Sequence, residues 1–270
     1  MTDKVWIFGD YSQAETRVVA WAGPVPSLKT WFKNKEDVHL NVAKVIAKVI
    51  QENKVIMPGS LFKKSWESLT KSDEEREKGK QTGHAGNYGL GYDKAALYLA
   101  IPPQYAKIIL NIYHEMFPEI KGGYQKWIDE CLPTIVLPEP FNWPHSFYDR
   151  PSPERSRVAY ASYAQGTIGL LLVRTLVRCC EIFSRELPEA TVMTPNVIRS
   201  QGLDVQLQVH DSIGISVPND REVIQYTCQL VRKEAEYPLI IKGEPLIIPM
   251  DFKVGKSWAK EDLHDYSPDT

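Results

Sequence analysis

The chain has 270 residues, a hydrophobic share of 43%, a charged share of 24% and a formal net charge of −2. This length and composition are those of an ordinary globular protein with one large or two modest domains. No apolar run approaches the ~20 residues that span a bilayer. The first residues lack the layout of a secretory signal, and we expect a cytoplasmic protein.

The first quarter of the chain is predicted to contain one strand and two helices. Residues Val5–Gly9 form a short apolar run that predicts a buried strand ending at Asp10. Helical apolar spacing covers Ser27–Lys33 and Val38–Gln51. Residues 53–70 have no sustained period, and we expect a loop there with short helical turns.

A glycine-containing helix is predicted over residues 73–87. Ser72 followed by Glu75 is the pattern of a capping box, in which two side chains bind the backbone N–H groups of the first turn. Each glycine costs roughly 1 kcal/mol relative to alanine inside a helix. We therefore expect another element to approach this backbone closely, or the segment to move. The three glycines inside the helix are Gly79, Gly83 and Gly86.

The rest of the chain predicts further helices and then strands. Tyr105–Phe117 and Arg155–Arg185 have helical patterns, and the cysteines of the second helix are expected to pack in the core. Leu203–Val217 alternates apolar and polar residues on both sides of Asp211, which predicts a hairpin with its turn there. Leu246–Val254 predicts another strand. The total is an α+β fold in which an antiparallel sheet carries a helical insertion.

Two aspartates lie at predicted strand ends. Asp10 ends the first strand and leads into a predicted helix, where it could equally be the N-cap residue. Asp211 lies at the hairpin tip beside His210, and aspartate is common in tight turns for purely structural reasons. Taken alone, neither residue indicates a function.

Four side chains follow one another at steps of four on the predicted glycine-containing helix. Such steps place side chains on one helix face. A guanidinium and an ammonium one turn apart can bind successive phosphates, and an aromatic ring further along can stack on a base. A solvated basic face is the alternative, since the net charge of the chain does not favour nucleic-acid binding. The four residues are Arg76, Lys80, His84 and Tyr88.

In their order along the chain, DYSQAETR, RxxxKxxxHxxxYG and VHD resemble motifs A, B and C of family A DNA polymerases. The resemblance extends over almost the whole chain, through Asp37-Val38-His39, Phe117-Pro118, Arg157 with Gln165-Gly166-Thr167, and Gly255-Lys256-Ser257-Trp258.

The resemblance implies an α+β right-hand polymerase fold without its thumb. An antiparallel-sheet palm would comprise residues 1–28, with motif A, and 151–270, with the motif C hairpin at about 203–217. A mainly helical fingers insertion would comprise residues 29–150, with the motif B helix at about 73–87.

The resemblance also implies the chemistry of two-metal nucleotidyl transfer. Asp10 and Asp211 would hold two Mg²⁺ ions, for which Mn²⁺ can substitute, and the Tyr11 carbonyl would be a further ligand. Lys80 is the candidate proton donor to the leaving pyrophosphate, and Glu15 would be the steric gate against a 2′-hydroxyl. The residues implied to bind the dNTP are Tyr11, Ser12, Gln13, Glu15, His39, Arg76, Lys80, His84 and Tyr88. Those implied to contact the primer-template DNA are Gly89, Arg157, Gln165 and His210.

Four positions depart from the family pattern. His84 stands where a phenylalanine or tyrosine is usual, Ala161 where an asparagine is usual, and Tyr163 where a proline is usual. Ser212 replaces the glutamate that usually follows motif C, which is the form seen in phage-type single-subunit RNA polymerases. An RNA polymerase fragment of that class, or an inactive DNA-binding palm, are therefore the alternatives, whereas Glu15 favours a DNA polymerase.

Only nine residues precede Asp10. Family members carry a thumb, a TGRxSS segment and often a 3′–5′ exonuclease before motif A. The resemblance therefore implies either a fragment or a split gene, in which a separate chain supplies the thumb and, where present, the exonuclease. A split gene would suit a phage and the cytoplasm of its host cell, and the chain would expose an apolar surface for that partner.

Overall fold

The computed structural model describes residues 3–59, 61–185, 204–259 and 261–269. Its residues form two compact units. The sheet unit comprises Met1–Ala14, Gly166–Ile240 and Pro245–Thr270, and the helical unit comprises Glu15–Gln165 and Ile241–Glu244. These boundaries differ from the residues 28 and 150 expected for the palm and fingers, and that assignment stays a prediction.

A run of helices follows the first strand and most of the strands follow the longest helix, which is the segregated order expected for an α+β fold. The strands are β1 Lys4–Tyr11, β2 Thr134–Val136, β3 Pro144–Ser146, β4 Asp204–Val209, β5 Ser212–Pro218, β6 Leu239–Ile241, β7 Glu244–Leu246, β8 Met250–Gly255 and β9 His264–Tyr266. The helices are α1 Ala14–Ala22, α2 Pro26–Lys33, α3 Val38–Glu52, α4 Glu74–Asn87, α5 Tyr92–Leu99, α6 Pro103–Met116, α7 Lys126–Cys131, α8 Pro153–Arg185 and α9 Arg221–Ala235. A 3₁₀ turn covers Trp66–Ser68, and a π-helical segment covers Ile120–Gln125.

The sheet unit is built on a five-stranded antiparallel sheet with the strand order β4-β5-β1-β8-β9. The central strand β1 alternates in burial, so that Val5, Ile7 and Tyr11 face the core. Strand β5 is buried along almost its whole length, since it lies between two other strands and under α9. Helix α9 begins at a proper cap, because the Asp220 carboxylate accepts from two backbone N–H groups of its first turn.

Close helix contacts define the helical unit, and the glycines of α4 explain how they form. A Cβ added at Gly79 would lie 2.2 Å from the His39 carbonyl oxygen of α3, and one at Gly86 would lie 2.3 Å from the Tyr113 ring of α6. The expected close approach to the glycine-containing helix is therefore confirmed at these two positions. At Gly83 the nearest atom is 3.9 Å away, which is ordinary contact. A cluster of small and branched side chains from α4, α5 and α6 fills the space beyond, with Ala85, Ala95, Ala96, Leu99, Ala106 and Leu110.

The predicted capping box of α4 is wrong. The Glu75 carboxylate accepts from the Phe62 backbone N–H across the preceding loop, at 3.2 Å. The N-cap position belongs to Asp73, whose side chain makes no cap hydrogen bond and instead accepts from Thr70 and Lys64. The pattern failed because a loop residue distant in sequence competes for the same carboxylate, and Glu75 is buried with it.

Other predicted elements match with small shifts in their ends. The final strand begins at Met250, and Leu246 belongs to a separate short hairpin of β6 and β7. Asp10 lies within β1, four residues before the first residue of α1, so it does not occupy the N-cap position. Leu203 and the segment before it lie outside the described residues. Among the helices that are described, none is both long and apolar enough to cross a membrane.

Candidate functional site

The pairing of β1 with β5 brings Asp10 and Asp211 to one end of the sheet. Asp10 is the register partner of Ser212, the first residue of β5, and the Tyr11 N–H donates to the Asp211 carbonyl oxygen at 3.2 Å. Asp211 and His210 form the two-residue turn between β4 and β5. The Asp10 side chain is exposed and that of Asp211 is half-buried. Main-chain hydrogen bonds therefore set the positions of both aspartates.

The turn itself explains the serine that follows it. The Ser212 hydroxyl donates to the Val209 carbonyl oxygen at 2.6 Å, and the serine is buried. His210 has a φ of 55°, in the left-handed region that non-glycine residues seldom adopt, and its side chain is exposed. Ser212 thus closes the turn that presents Asp211.

The side chain of Tyr11 anchors the end of β1 in the core of the sheet unit. Its hydroxyl lies 3.0 Å from Thr175 Oγ1 of α8 and donates to the Ala235 carbonyl oxygen at the end of α9, at 3.1 Å. Burial raises the pKa of this hydroxyl well above its ordinary value, so the phenol stays neutral. The strand end that carries Asp10 is therefore held by two helices of the sheet unit. Ser12, the next residue, donates its N–H to the Pro249 carbonyl oxygen.

In the helical unit, α3 and α4 bring a carboxylate to the predicted phosphate-binding cations. Nε and Nη2 of Arg76 both lie 2.9 Å from Asp37 Oδ2. The other carboxylate oxygen, Oδ1, accepts from the Leu40 N–H at 2.9 Å and caps α3. Burial works against the charge of Asp37, but the Leu40 N–H and the Arg76 guanidinium together hold the pKa of this carboxyl below its ordinary value.

His39 and His84 form an edge-to-face ring pair beside this ion pair. Their ring centroids are 6.3 Å apart, and the His84 ring lies 6.2 Å from that of Tyr88. Burial lowers the pKa of His39 to about 3, and the neighbouring charges of His84, Arg76 and Lys80 add to this effect. At neutral pH His39 is therefore an uncharged imidazole.

A third group in the helical unit surrounds Glu15. The Tyr88 hydroxyl donates to Glu15 Oε2, and Gln165 Nε2 donates to Glu15 Oε1 at 3.5 Å. Tyr88 is buried, and burial together with the Glu15 charge raises the pKa of its hydroxyl far above the ordinary value. The Glu15 carboxylate is therefore held in place from two sides. Arg157 is not part of this group, because its guanidinium pairs with Glu154 in the first turn of α8.

The end of α4 is bound by Gln125, a residue that belongs to none of the motifs. Gln125, in the π-helical segment, donates from Nε2 to the carbonyl oxygens of Gly86 at 2.8 Å and Asn87 at 3.0 Å. Tyr88 and then Gly89 follow at once, and Gly89 has a φ of +66° that favours glycine. A buried amide therefore fixes the turn in which Tyr88 and Gly89 lie.

The comparisons with known proteins agree on one family. The model of DNA polymerase family A matches residues 1–260. The chain belongs to DNA polymerase family A. It is 23% identical to the thermostable DNA polymerase I of Thermus filiformis, over 97% of this chain and 28% of that protein. It is 24% identical to the thermostable DNA polymerase I of Thermus aquaticus, over 93% of this chain and 27% of that protein.

The fold of this family A chain also matches a solved structure. The POL domain of Pol1 from M. smegmatis, in complex with DNA primer-template and dNTP, has a TM-score of 0.66 and is 20% identical. The match covers 94% of this chain and 40% of that one. The α+β fold with an antiparallel sheet is thereby confirmed. The chain spans less than a third of the length of the curated relatives named above.

Sequence reasoning on this family A chain missed one further carboxylate. Asp251 of β8 is the direct register partner of Asp10 on the side away from β5, and both side chains are exposed. Directly opposed residues of antiparallel strands share a face of the sheet. No single-sequence signal marks this pairing. Within the described parts of the chain, no group of three or more His, Cys, Asp or Glu side chains is arranged to hold a metal ion.

Proposed function

We propose that this chain is the nucleotide-binding and catalytic part of a template-directed DNA polymerase, which transfers dNMP to a primer 3′-hydroxyl and releases pyrophosphate. The observation that carries the proposal is the meeting of two motif aspartates. Asp10 and Asp211 come from remote parts of the sequence and share one sheet end through the hydrogen bond from Tyr11 N–H to Asp211 O. Membership of family A supports the same reaction.

The donor set at this sheet end fits the two Mg²⁺ ions that the family implies, with Mn²⁺ as a substitute. Asp10 and Asp211 offer carboxylate oxygens, one exposed and one half-buried, and the Tyr11 carbonyl adds a third hard oxygen. When bound, the ions would activate the 3′-hydroxyl and offset negative charge on the phosphates. The protein itself contributes a rigid strand end, since the Tyr11 side chain is anchored by Thr175 and Ala235.

Arg76 and Lys80 are proposed to bind the phosphates of the incoming dNTP. They lie one turn apart on α4, so a planar guanidinium and an ammonium face the same side. Cations placed there would stabilise charge that develops on the transferred phosphoryl group, and Lys80 would donate a proton to the pyrophosphate. His39, neutral at pH 7, would assist at the β-phosphate as a hydrogen-bonding group.

Sugar selection is assigned to Glu15, the proposed steric gate against a 2′-hydroxyl. The bonds from Tyr88 and Gln165 hold its carboxylate in one place, which a gate that works by exclusion requires. His84, beside Tyr88, would contact the dNTP. The other proposed dNTP contacts are Ser12 and Gln13, which follow the end of β1. The backbone of Gln13 is in the left-handed region, with a φ of 52°.

Primer-template contacts are assigned to residues around the Tyr88 turn and the sheet end. Tyr88 would lie against the templating position, and Gly89, which has no side chain, would leave room there. The other proposed contacts with the DNA are Arg157, Gln165 and His210. In this assignment residues 1–28 and 151–270 form the palm and residues 29–150 form the fingers.

A separate chain is proposed to supply the thumb and, where present, the exonuclease. The share of each relative that this chain covers, 28% for the Thermus filiformis protein, supports a partner or a longer parent protein. Val173 and Val177 of α8 are 47% and 50% exposed and fit the expected apolar surface. A phage-encoded split polymerase acting in the cytoplasm of its host cell is the corresponding biological setting.

Primer extension tests the proposal. The chain is combined with a thumb-bearing chain from a neighbouring TGRxSS-containing gene, primer-template DNA, Mg²⁺ and dNTPs. We expect incorporation that Asp10→Ala and Asp211→Ala each reduce on the order of a thousandfold. Absence of incorporation by the intact combination would reject the proposed reaction. A titration in which Mg²⁺ binding does not depend on these two aspartates would favour the inactive DNA-binding palm.

A single-subunit-type RNA polymerase fragment is the second candidate, favoured by Ser212 at the end of motif C. The two candidates differ in the sugar they accept. We expect the intact combination to prefer dNTPs over rNTPs, and Glu15→Ala to reduce that preference. Preference for rNTPs by the unmodified chain would favour the RNA polymerase, and an unchanged preference in Glu15→Ala would reject the assignment of Glu15 as the steric gate.

A further inference from the structure

The carboxylate of Asp37 is shared between two tasks. Oδ1 accepts the Leu40 N–H and caps α3, while Oδ2 accepts from Nε and Nη2 of Arg76, with all three distances at 2.9 Å. The Asp37 side chain is 7% exposed and that of Arg76 is 27% exposed. A buried carboxylate with both oxygens engaged has one orientation, and it imposes that orientation on the guanidinium.

The close contact between α3 and α4 brings Asp37 near Arg76. Gly79 of α4 touches the His39 carbonyl oxygen and Ala43 so closely that a Cβ would overlap the α3 backbone. Gly79 lies three residues after Arg76 and one before Lys80. The same contact that seats α3 on α4 therefore places the α3 cap opposite Arg76.

We propose that Asp37 is a positioning residue for the triphosphate, holding the Arg76 guanidinium in its phosphate-binding orientation while it caps the helix that carries His39. This inference rests on the proposed function only in assigning Arg76 to phosphates. The sequence places Asp37 in a segment that resembles the family but assigns it no contact with the dNTP, the DNA or a metal ion.

The physical reason is conformational. An arginine side chain has several rotatable bonds, and a ligand that must immobilise it loses affinity. A guanidinium carries five N–H donors in a planar fork, of which Asp37 takes one from Nε and one from Nη2. The donors on Nη1 and the second of Nη2 then point in fixed directions. Because the pKa of Asp37 lies below its ordinary value, the carboxylate remains charged throughout the neutral range.

The competing view is that Asp37 opposes the triphosphate, because its negative charge lies beside the same guanidinium. The two views predict opposite signs. If Asp37 positions Arg76, loss of its Oδ2 acceptor weakens triphosphate binding. If Asp37 competes with phosphate, the same loss tightens it.

Asp37→Asn separates the two tasks of the side chain. Its Oδ1 can still cap α3, whereas an amide NH₂ replaces Oδ2 and presents donors to the donors of Arg76. The probe is inorganic tripolyphosphate, titrated by calorimetry into the full chain. Asp220→Asn is the matched control, because Asp220 also caps a helix through Oδ1 and, among the described residues, forms no ion pair with an arginine.

We expect Asp37→Asn to weaken tripolyphosphate binding about tenfold, Arg76→Ala to weaken it at least as much, and the double variant to bind like Arg76→Ala alone. Asp220→Asn should bind like the unmodified chain. If Asp37→Asn does not fold, Asp37→Ser is used in its place. The serine hydroxyl can still cap α3, but the side chain is too short to reach Arg76, and we expect the same loss of tripolyphosphate affinity.

Three results would overturn the positioning role. These are binding by Asp37→Asn equal to or tighter than that of the unmodified chain, losses that multiply in the double variant, and no tripolyphosphate binding by the unmodified chain. Primer extension keeps the proposed function separate. Tripolyphosphate binding with the expected coupling but no dNTP incorporation would reject the polymerase reaction and leave the Asp37 role standing.

Discussion

The sheet unit and the helical unit hold their candidate site residues by different means. In the sheet unit, main-chain pairing places Asp10 and Asp211, and neither carboxylate is needed for the bond from Tyr11 N–H to Asp211 O. In the helical unit, side chains hold side chains, as Asp37 does for Arg76 and Tyr88 for Glu15. A site built on main-chain pairing tolerates changes to its own functional side chains, whereas a site built on side-chain contacts shifts when one polar group is lost.

The largest effect expected from this difference is at Asp211. Asp211→Ala should reduce dNTP incorporation on the order of a thousandfold, since it removes a proposed metal ligand. The free energy of unfolding should change by less than about 0.5 kcal/mol, because the turn keeps its main-chain bond. Denaturant unfolding and primer extension measure the two quantities. A large loss of stability would show that the carboxylate itself supports the turn.

Among the helical-unit variants, Gly79→Ala should lower the free energy of unfolding most. In Gly79→Ala the new Cβ meets the α3 backbone at 2.2 Å, and we expect a loss of about 2–3 kcal/mol in the free energy of unfolding. Gly83→Ala is the matched control, because its Cβ would find ordinary space and alanine favours a helix by about 1 kcal/mol. Urea unfolding of both variants decides. Equal effects would mean that the close approach of α3 is not rigid.

His39 makes the helical unit sensitive to acid. Its pKa is about 3 in the folded chain and 6.5 as its ordinary value, so the unfolded chain binds the proton more readily. The contribution to stability is complete above pH 6.5 and is lost as the pH falls from there toward 3, by at most about 1.4 kcal/mol per pH unit. Urea unfolding between pH 4.5 and 7.5 should show a smaller slope in His39→Gln. His114→Gln serves for comparison, since burial also lowers the pKa of His114, to about 4.

The smallest effects are expected when one hydrogen-bonding side chain is changed in each unit, Gln125 in the helical unit and Tyr11 in the sheet unit. Gln125→Ala leaves the carbonyl oxygens of Gly86 and Asn87 without this donor, and we expect a loss of about 1–2 kcal/mol together with weaker dNTP selection through the Tyr88 turn. Tyr11→Phe removes one hydroxyl in the sheet unit, costs about 1 kcal/mol, and should leave selection unchanged. Thermal unfolding and the ratio of dNTP to rNTP incorporation test this. If Tyr11→Phe also changes the ratio of dNTP to rNTP incorporation, the two units do not differ in how they hold their site residues.

The motif residues and the element types could be predicted because their signals are local. The strand before Asp10, the helix at residues 74–87 and the turn at Asp211 each follow from a short pattern of apolar periods and turn residues. The capping box failed for the converse reason. Glu75 fits the local pattern, but the Phe62 N–H across the preceding loop binds it.

What the sequence alone determined was therefore the order of strands and helices, the motifs and the family they indicate. Tertiary structure decided which residues lie beside them: Asp37 binds Arg76, Gln125 binds the end of α4 before Tyr88, and Asp251 is the register partner of Asp10. Periodicity and turn preference act over a few residues and leave a mark in one sequence. Partners brought together by chain folding depend on the register of strands and the crossing of helices, which no local pattern specifies.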